Sequence, residues 1–143
     1  MEVRKKIMVD MDDVACDYKS RFIQRQEENP FISWPPAEYS FFRDLDPIED
    51  AIESINTLRT KYDVYFLTRP SVKNPMCYTE KRDWVGKYFD YEMCEKLILC
   101  YHKHLVMGDY LIDDNIHPGF VGEHIHFGQG KFKTWKQVLE YLM

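Results

Sequence analysis

The sequence predicts an α/β domain, a mostly parallel sheet of about five strands with helices on both faces. Three observations predict it: short apolar runs recur along the chain, stretches of helical periodicity separate them, and polar residues follow several runs directly. Parallel neighbours need a crossover long enough to house a helix, so alternation of this kind builds a parallel sheet.

Ile7, Met8 and Val9 form the first strand, bounded by Lys5 and Lys6 before and carboxylates after. Further buried runs lie at 64–67, 97–99 and 110–112, and a fifth at 124–127 alternates in type as an edge strand does. Between the first two strands, Val14, Tyr18 and Phe22 fall at helical spacing. Asp13 directly precedes that pattern and reads as its N-cap. Ile48, Ala51, Ile52, Ile55 and Leu58 make a cleaner stripe. Trp84, Val85, Tyr88 and Phe89 mark another helix, and Trp135, Val138, Leu139 and Leu142 a last one. Residues 29–47 break the pattern, with four prolines, five aromatics and no steady period. Proline excludes a long helix there, and the segment is too aromatic for a disordered linker. It reads as a compact insertion lying over the carboxyl ends of the strands.

A chain of 143 residues suits one domain spanning 1–143. Its net charge of -5 gives no basic footprint, which argues against duplex nucleic acid. A small anionic ligand stays compatible, because a bound metal reverses the local potential. No apolar run approaches the roughly 20 residues that span a bilayer. The start, MEVRKKIMVD, does not read as a signal peptide. Cys16, Cys77, Cys94 and Cys100 form no C-x-x-C pair and suggest a reducing compartment, so a cytoplasmic location is expected. The pairs His102 with His104 and His124 with His126 match no zinc spacing and read as solvent-facing.

In an open parallel sheet, ligands bind outside the carboxyl ends of the strands. Asp10 and Asp12 follow the first strand, Thr68, Arg69 and Pro70 end the second, and Asp113, Asp114 and Asn115 follow the fourth. Lys81 opens the helix after the second strand. An acidic cluster alone reads as a turn or a cap. Two clusters at the ends of two buried strands, with Thr68 and Lys81 between, point instead to a site. Crowding like charges is unfavourable unless a cation or a reaction uses them. Hard oxygen ligands at this density suit Mg²⁺. A carboxylate can serve as nucleophile toward phosphorus, and a hydroxyl with an ammonium can hold the other phosphate oxygens.

The ordered set D-M-D-D-V, F-L-T, Lys81 and L-I-D-D resembles the four motifs of the haloacid dehalogenase-like hydrolases. Within them, DMDDVxxDY, the segment around EKRDWVGKYF, and DYLIDDN resemble the cytosolic and mitochondrial 5′(3′)-deoxyribonucleotidases and their bacterial and phage relatives. The resemblance implies a three-layer Rossmann-like fold with a reduced cap at about 17–47, and a small-molecule nucleotide substrate. It implies Asp10 as the nucleophile, and Asp12 as the acid that protonates the leaving oxygen and the base that then activates water. Mg²⁺ would lie among the Asp10 carboxylate, the Asp12 backbone carbonyl and the Asp114 carboxylate, with Asp113 contributing from the same pair. Thr68 and Lys81 would bind the phosphoryl group, and Lys81 would also neutralise the crowded carboxylates.

Two features depart from those relatives. Arg69 stands where a small residue usually follows the motif threonine, and it either reaches substrate phosphate or pairs with a surface carboxylate. The stretch between the first two motifs is shorter, which leaves base preference open. Tyr18 stands where the relatives stack an aromatic on the base, and its spacing fits a core position equally well. Trp34, Tyr39, Phe41 and Phe42 are the other stacking candidates, Trp34 foremost. Oligomeric state is left open, a homodimer included. A phosphoacceptor receiver domain is the rival outside the superfamily, but its acidic pair comes first and its threonine and lysine last. Within the superfamily the rivals are another small phosphate ester and a polynucleotide 3′-phosphate.

Overall fold

Each of the five apolar runs becomes a strand. They are β1 (Lys6–Val9), β2 (Asp63–Thr68), β3 (Leu97–Leu99), β4 (Tyr110–Asp113) and β5 (Glu123–His126). All neighbours pair in parallel, in the order β3-β2-β1-β4-β5. The structure is a computed structural model that describes residues 3–143. The 124–127 run lies at an edge, as its alternation predicts. Strand order reverses at β1, which pairs with β2 on one side and β4 on the other. The carboxyl ends of these three strands therefore frame the crevice where such sheets bind ligands.

The five helices are α1 (Tyr18–Glu28), α2 (Ala51–Arg59), α3 (Cys77–Tyr88), α4 (Tyr91–Glu95) and α5 (Trp135–Leu142). Side chains alternate across a strand, and the two faces of this sheet differ. Ile7, Val9, Val64, Phe66, Ile112 and Ile125 share one core with Ile55 and Leu58 of α2, Trp84 and Val85 of α3, Met93 of α4 and Trp135 and Val138 of α5. Met8, Leu67 and Leu111 face the other way, against Phe120 and Val106 from connecting loops. The expectation of helices on both faces is thus corrected. The α/β class holds, but the third layer is made of loops. The β3–β4 and β4–β5 connections are too short to carry a helix and hold only a 3₁₀ turn at Lys103–Leu105. Among the described residues no helix is long and apolar enough to cross a membrane.

The first helix also begins later than predicted. It starts at Tyr18, and Asp17 is its N-cap, accepting a hydrogen bond from Ser20 N at 3.2 Å. The chain first folds back on itself, with Val14, Ala15 and Cys16 all donating to the Met11 carbonyl. That turn needs a left-handed residue, and Asp13 supplies it at φ 61°, a conformation aspartate tolerates better than most. Asp13 still serves the helix from outside, through Lys19 N at 2.9 Å.

The aromatic insertion is fastened to α3 and the loop before it. Asn74 Nδ2 donates to the Pro36 and Glu38 carbonyls at 3.1 and 2.8 Å. Glu80 accepts from Ser40 N at 2.7 Å and Phe42 N at 3.1 Å, and Trp84 Nε1 donates to the Leu45 carbonyl at 2.8 Å. Phe41, Phe42 and Leu45 enter the main core, so the irregular backbone has both apolar anchors and polar partners. Glu80 is itself buried, and removing it would strand two amide donors. Glu80→Ala is therefore expected to lose about 1.5–3 kcal/mol of stability in urea unfolding. A loss below about 0.5 kcal/mol would show that the insertion is held by its apolar anchors alone.

Candidate active site

Asp10 directly follows β1, and its amide extends the ladder by donating to the Ile112 carbonyl at 2.9 Å. Asp113 ends β4 and Asp114 comes next. Because β1 and β4 are neighbours, one oxygen from each of Asp10, Asp113 and Asp114 lies within 4.8 Å of the others. Thr68, at the end of β2, is fully buried on the opposite side of Asp10's strand. The structure thus brings together the two acidic clusters that the sequence separates by a hundred residues.

Two lysines enter this polar centre. Lys81, buried in the second turn of α3 rather than at its opening, donates to Asp12 Oδ2 at 3.0 Å, to the Arg69 carbonyl at 3.0 Å and to Thr68 Oγ1. Lys103, which sequence reasoning missed, is 2% exposed. Its ammonium reaches Asp10 Oδ1 at 2.8 Å and Asp113 Oδ2 at 2.6 Å. Neutralising the carboxylates, expected of Lys81 alone, is divided between the two. A signal existed: Lys103 stands ten residues before Asp113. It was masked by His102 and His104 on either side, both exposed and neither part of the acidic cluster.

Asp113 Oδ1 accepts from Asn115 N at 2.9 Å, and His117 Nε2 lies 3.0 Å from Oδ2. His126 Nε2 is 2.9 Å from the Asp114 carbonyl. The Asp114 carboxylate has no lysine, arginine or histidine within ion-pair distance among the described residues. Burial pushes the Asp10 carboxyl well above its ordinary range; Lys103 opposes the shift, and Asp113 and Asp12 add to it. Burial likewise lifts Asp114 to about 6. Three converging carboxylates with incomplete compensation, all hard oxygen donors, fit a Mg²⁺ ion. The Asp12 carboxylate is outside this group, held instead by Lys81.

Asp10, Asp12, Asp113, Asp114, Lys103 and His117 line an acidic pocket of about 170 Å³. It adjoins a cleft of about 620 Å³ lined by Tyr18, Trp34, Phe42, Arg69, Lys73 and Tyr101 among others. Asp12, Tyr18, Arg69 and Asn115 border both cavities. Tyr18 packs on Phe41 and Phe42, with ring centroids at 5.5 and 6.2 Å, so it belongs at once to the core and to the cleft. Trp34 is half-exposed and meets Phe22 edge-on at 5.4 Å. Phe41 is buried away from the cleft, and Tyr39 does not line it. Arg69 pairs with no carboxylate among the described residues, which removes one of its two expected uses. Its Nε donates to the Tyr101 carbonyl at 3.1 Å, and its guanidinium lies 4.9 Å from the Tyr101 ring centre.

The sequence model for the 5′ nucleotidase, deoxy (pyrimidine), cytosolic type C proteins matches residues 36–133. The chain belongs to this nucleotidase family. It is a phosphoric monoester hydrolase of the 5′-nucleotidase type, and the receiver-domain reading falls. A Vibrio phage KVP40 protein named "Putative 5′(3′)-deoxyribonucleotidase" is 35% identical over 95% of this chain and 83% of its own. The 5′(3′)-deoxyribonucleotidase of Bacillus subtilis is 27% identical over 87% of this chain and 86% of its own. The fold is also that of "putative HAD-hydrolase YfnB" from Bacillus subtilis, solved bound to magnesium, at a TM-score of 0.60 and 9% identity over 99% of both chains.

The pKa shifts set a pH dependence for this nucleotidase. Asp10 and Asp114 are raised above the unfolded value of about 4, so the metal-free folded protein holds protons that the unfolded chain releases. The stability that Asp114 contributes is complete below about pH 4 and lost as pH rises through about 6, and that of Asp10 is lost in the same direction. A Mg²⁺ ion held by these carboxylates would displace those protons and relieve the repulsion that replaces them. The rise in melting temperature on adding Mg²⁺ is expected to be larger at about pH 7.5 than at about pH 5. Equal shifts at both would count against these carboxylates as the binding site.

Proposed function

We propose that the chain is a Mg²⁺-dependent phosphatase of nucleoside monophosphates, favouring 5′(3′)-deoxyribonucleotides, that works through an aspartyl-phosphate on Asp10. The observation that carries this reading is the position of Asp10: buried, paired with Lys103, beside Asp113 and Asp114, and opening onto a cleft with aromatic walls. Asp10, Asp114 and the Asp12 backbone carbonyl would hold the ion, with Asp113 behind them. When bound it offsets the carboxylate charge and the charge on the phosphoryl oxygens.

A carboxylate oxygen of Asp10 attacks phosphorus as the ester P–O bond breaks, and Asp12 gives a proton to the departing alkoxide. Asp12 then takes a proton from water. The resulting hydroxide attacks phosphorus, the Asp10–phosphorus bond breaks, and phosphate and a nucleoside leave. Thr68 and Lys81 hold the non-bridging oxygens. A phosphate entering there competes with Asp12 for the Lys81 ammonium, which leaves Asp12 free to carry its proton. Lys103 keeps positive charge beside Asp10 where negative charge builds in transfer. Arg69, turned toward the junction of the two cavities by Tyr101, adds a cation at the mouth. Tyr18 and Trp34, with Phe42, give a base flat faces to stack on, each worth about 1–3 kcal/mol. Four free cysteines, as a reducing compartment keeps them, support a cytoplasmic location.

A panel of dUMP, dTMP, the matching ribonucleotides and sugar phosphates with Mg²⁺ tests the substrate assignment. Deoxyribonucleotides are expected to be turned over fastest, with loss of activity in EDTA. Turnover of non-nucleotides alone would sink it. Asp10→Asn is expected to reduce kcat by about a thousandfold or more while keeping the native circular dichroism spectrum. Retention of a tenth of the rate would mean another group is the nucleophile.

A further inference from the structure

Four residues border both cavities: Asp12, Tyr18, Arg69 and Asn115. They form a neck between the acidic pocket and the aromatic cleft. With phosphate in the pocket and a base in the cleft, the sugar that joins them passes through this neck. The four side chains around it are therefore the ones that meet the sugar.

Three of the four are already committed. Asp12 Oδ2 accepts from Lys81 at 3.0 Å. Arg69 Nε donates to the Tyr101 carbonyl at 3.1 Å, with its guanidinium against the Tyr101 ring. The Tyr18 ring packs on Phe41 and Phe42. Asn115 differs. Its backbone N–H is fixed by Asp113 Oδ1 at 2.9 Å, which anchors the residue at the end of β4. Its side chain is exposed, and the one hydrogen bond it makes among the described residues runs from Nδ2 to Asp114 Oδ1 at 3.4 Å. That is longer than the usual 2.7–3.2 Å of an N–H···O bond, and a ligand can replace it at little cost. A fixed backbone thus presents a side chain that is nearly free.

The chemistry of the group narrows what it meets. A guanidinium only donates and an ionised carboxylate only accepts, whereas a carboxamide does both. A hydroxyl also does both, so an amide matches it in either orientation. We infer that Asn115 is a specificity-determining residue: its side-chain amide hydrogen-bonds the sugar hydroxyl that does not carry the phosphate. In a 5′-nucleotide this is the 3′-hydroxyl, and in a 3′-nucleotide the 5′-hydroxyl. One amide at the neck can serve both esters, because either hydroxyl can be its donor or its acceptor. The inference rests on the reading of the pocket and the cleft as phosphate and base sites.

The test compares dTMP with 3′-deoxythymidine 5′-phosphate, which lacks only that hydroxyl, on the whole chain with saturating Mg²⁺. In the wild type, dTMP is expected to have a kcat/KM about tenfold higher. Asn115→Ala is expected to bring the ratio below about threefold, with a melting temperature within about 2 °C of the wild type. Tyr18→Phe removes the other uncharged polar group of the neck and is expected to keep the ratio. A general structural defect lowers both substrates together and leaves the ratio where it was. A ratio kept in Asn115→Ala, or one that collapses in Tyr18→Phe instead, would overturn the inference. If a variant fails to fold, the wild-type ratio decides: about tenfold supports the inference and a value near one overturns it. Wild-type protein that cleaves p-nitrophenyl phosphate but neither nucleotide would sink the nucleotide reading itself, whereas equal turnover of both nucleotides would sink this inference alone.

Discussion

Three charged groups that water would keep apart, Asp10, Asp113 and Lys103, are held together almost entirely out of it. Burying a carboxylate costs several kcal/mol, and attraction to a partner offsets this only when the geometry is good and the remaining lone pairs are met. Here Lys103 bridges the two carboxylates, and Asn115 N meets the other oxygen of Asp113. Much of the fold serves that arrangement. Parallel pairing of β1 with β4 sets the two strand ends side by side, and the β3–β4 loop must fold inward to bring its lysine. The compensation stays incomplete at Asp114, whose carboxyl remains raised by burial. A carboxylate with no cation partner beside two that share one is where a divalent ion gains most.

One helix joins this centre to the aromatic insertion. Neighbouring residues of α3 do unlike work: Glu80 holds the amides of Ser40 and Phe42, Lys81 reaches into the strand ends, and Trp84 ties down Leu45. Successive side chains on a helix diverge by about 100° and those four apart share a face, so Glu80 and Trp84 meet the insertion while Lys81 faces the acidic centre. Phe42 makes the link direct. Its amide is held by Glu80, its ring lies 5.1 Å from the Lys81 ammonium, and it lines the cleft. A shift of the insertion would be felt at Lys81 through contacts rather than through solvent.

The parts legible in the sequence share one property: each follows an apolar run. Asp10, Thr68, Asp113 and Asp114 could be placed because a buried strand aims whatever comes next at its carboxyl end. Lys103 follows no such run. It sits in a polar loop, and a lysine there looks like any solvated lysine until the Asp113 carboxylate is known to lie beneath it. Asp13 and Asp17 show a related limit. Both are good caps, and only the fold-back at Met11, invisible to periodicity, decides that the helix waits for Asp17. The one-sided distribution of helices was more readable. Residues 100–109 and 114–122 lack a helical period, and right-handed crossovers place those two connections on the face opposite α2 and α3.

That bare face explains why the site is built as it is. A helix layer would have covered Met8, Leu67 and Leu111 and left the loops above it free to diverge. Here the loops themselves are the cover, with Val106 and Phe120 as their apolar pins. Their backbones approach so closely that a Cβ on Gly122, at φ 133°, would lie 2.5 Å from the Gly108 carbonyl oxygen. The same two loops supply Tyr101, which orients Arg69, and Lys103 and His117, which flank Asp113. Coverage of the sheet and placement of charge are therefore one task, performed by segments with little slack. These charged groups stay in register because the loops that orient them also seal the core.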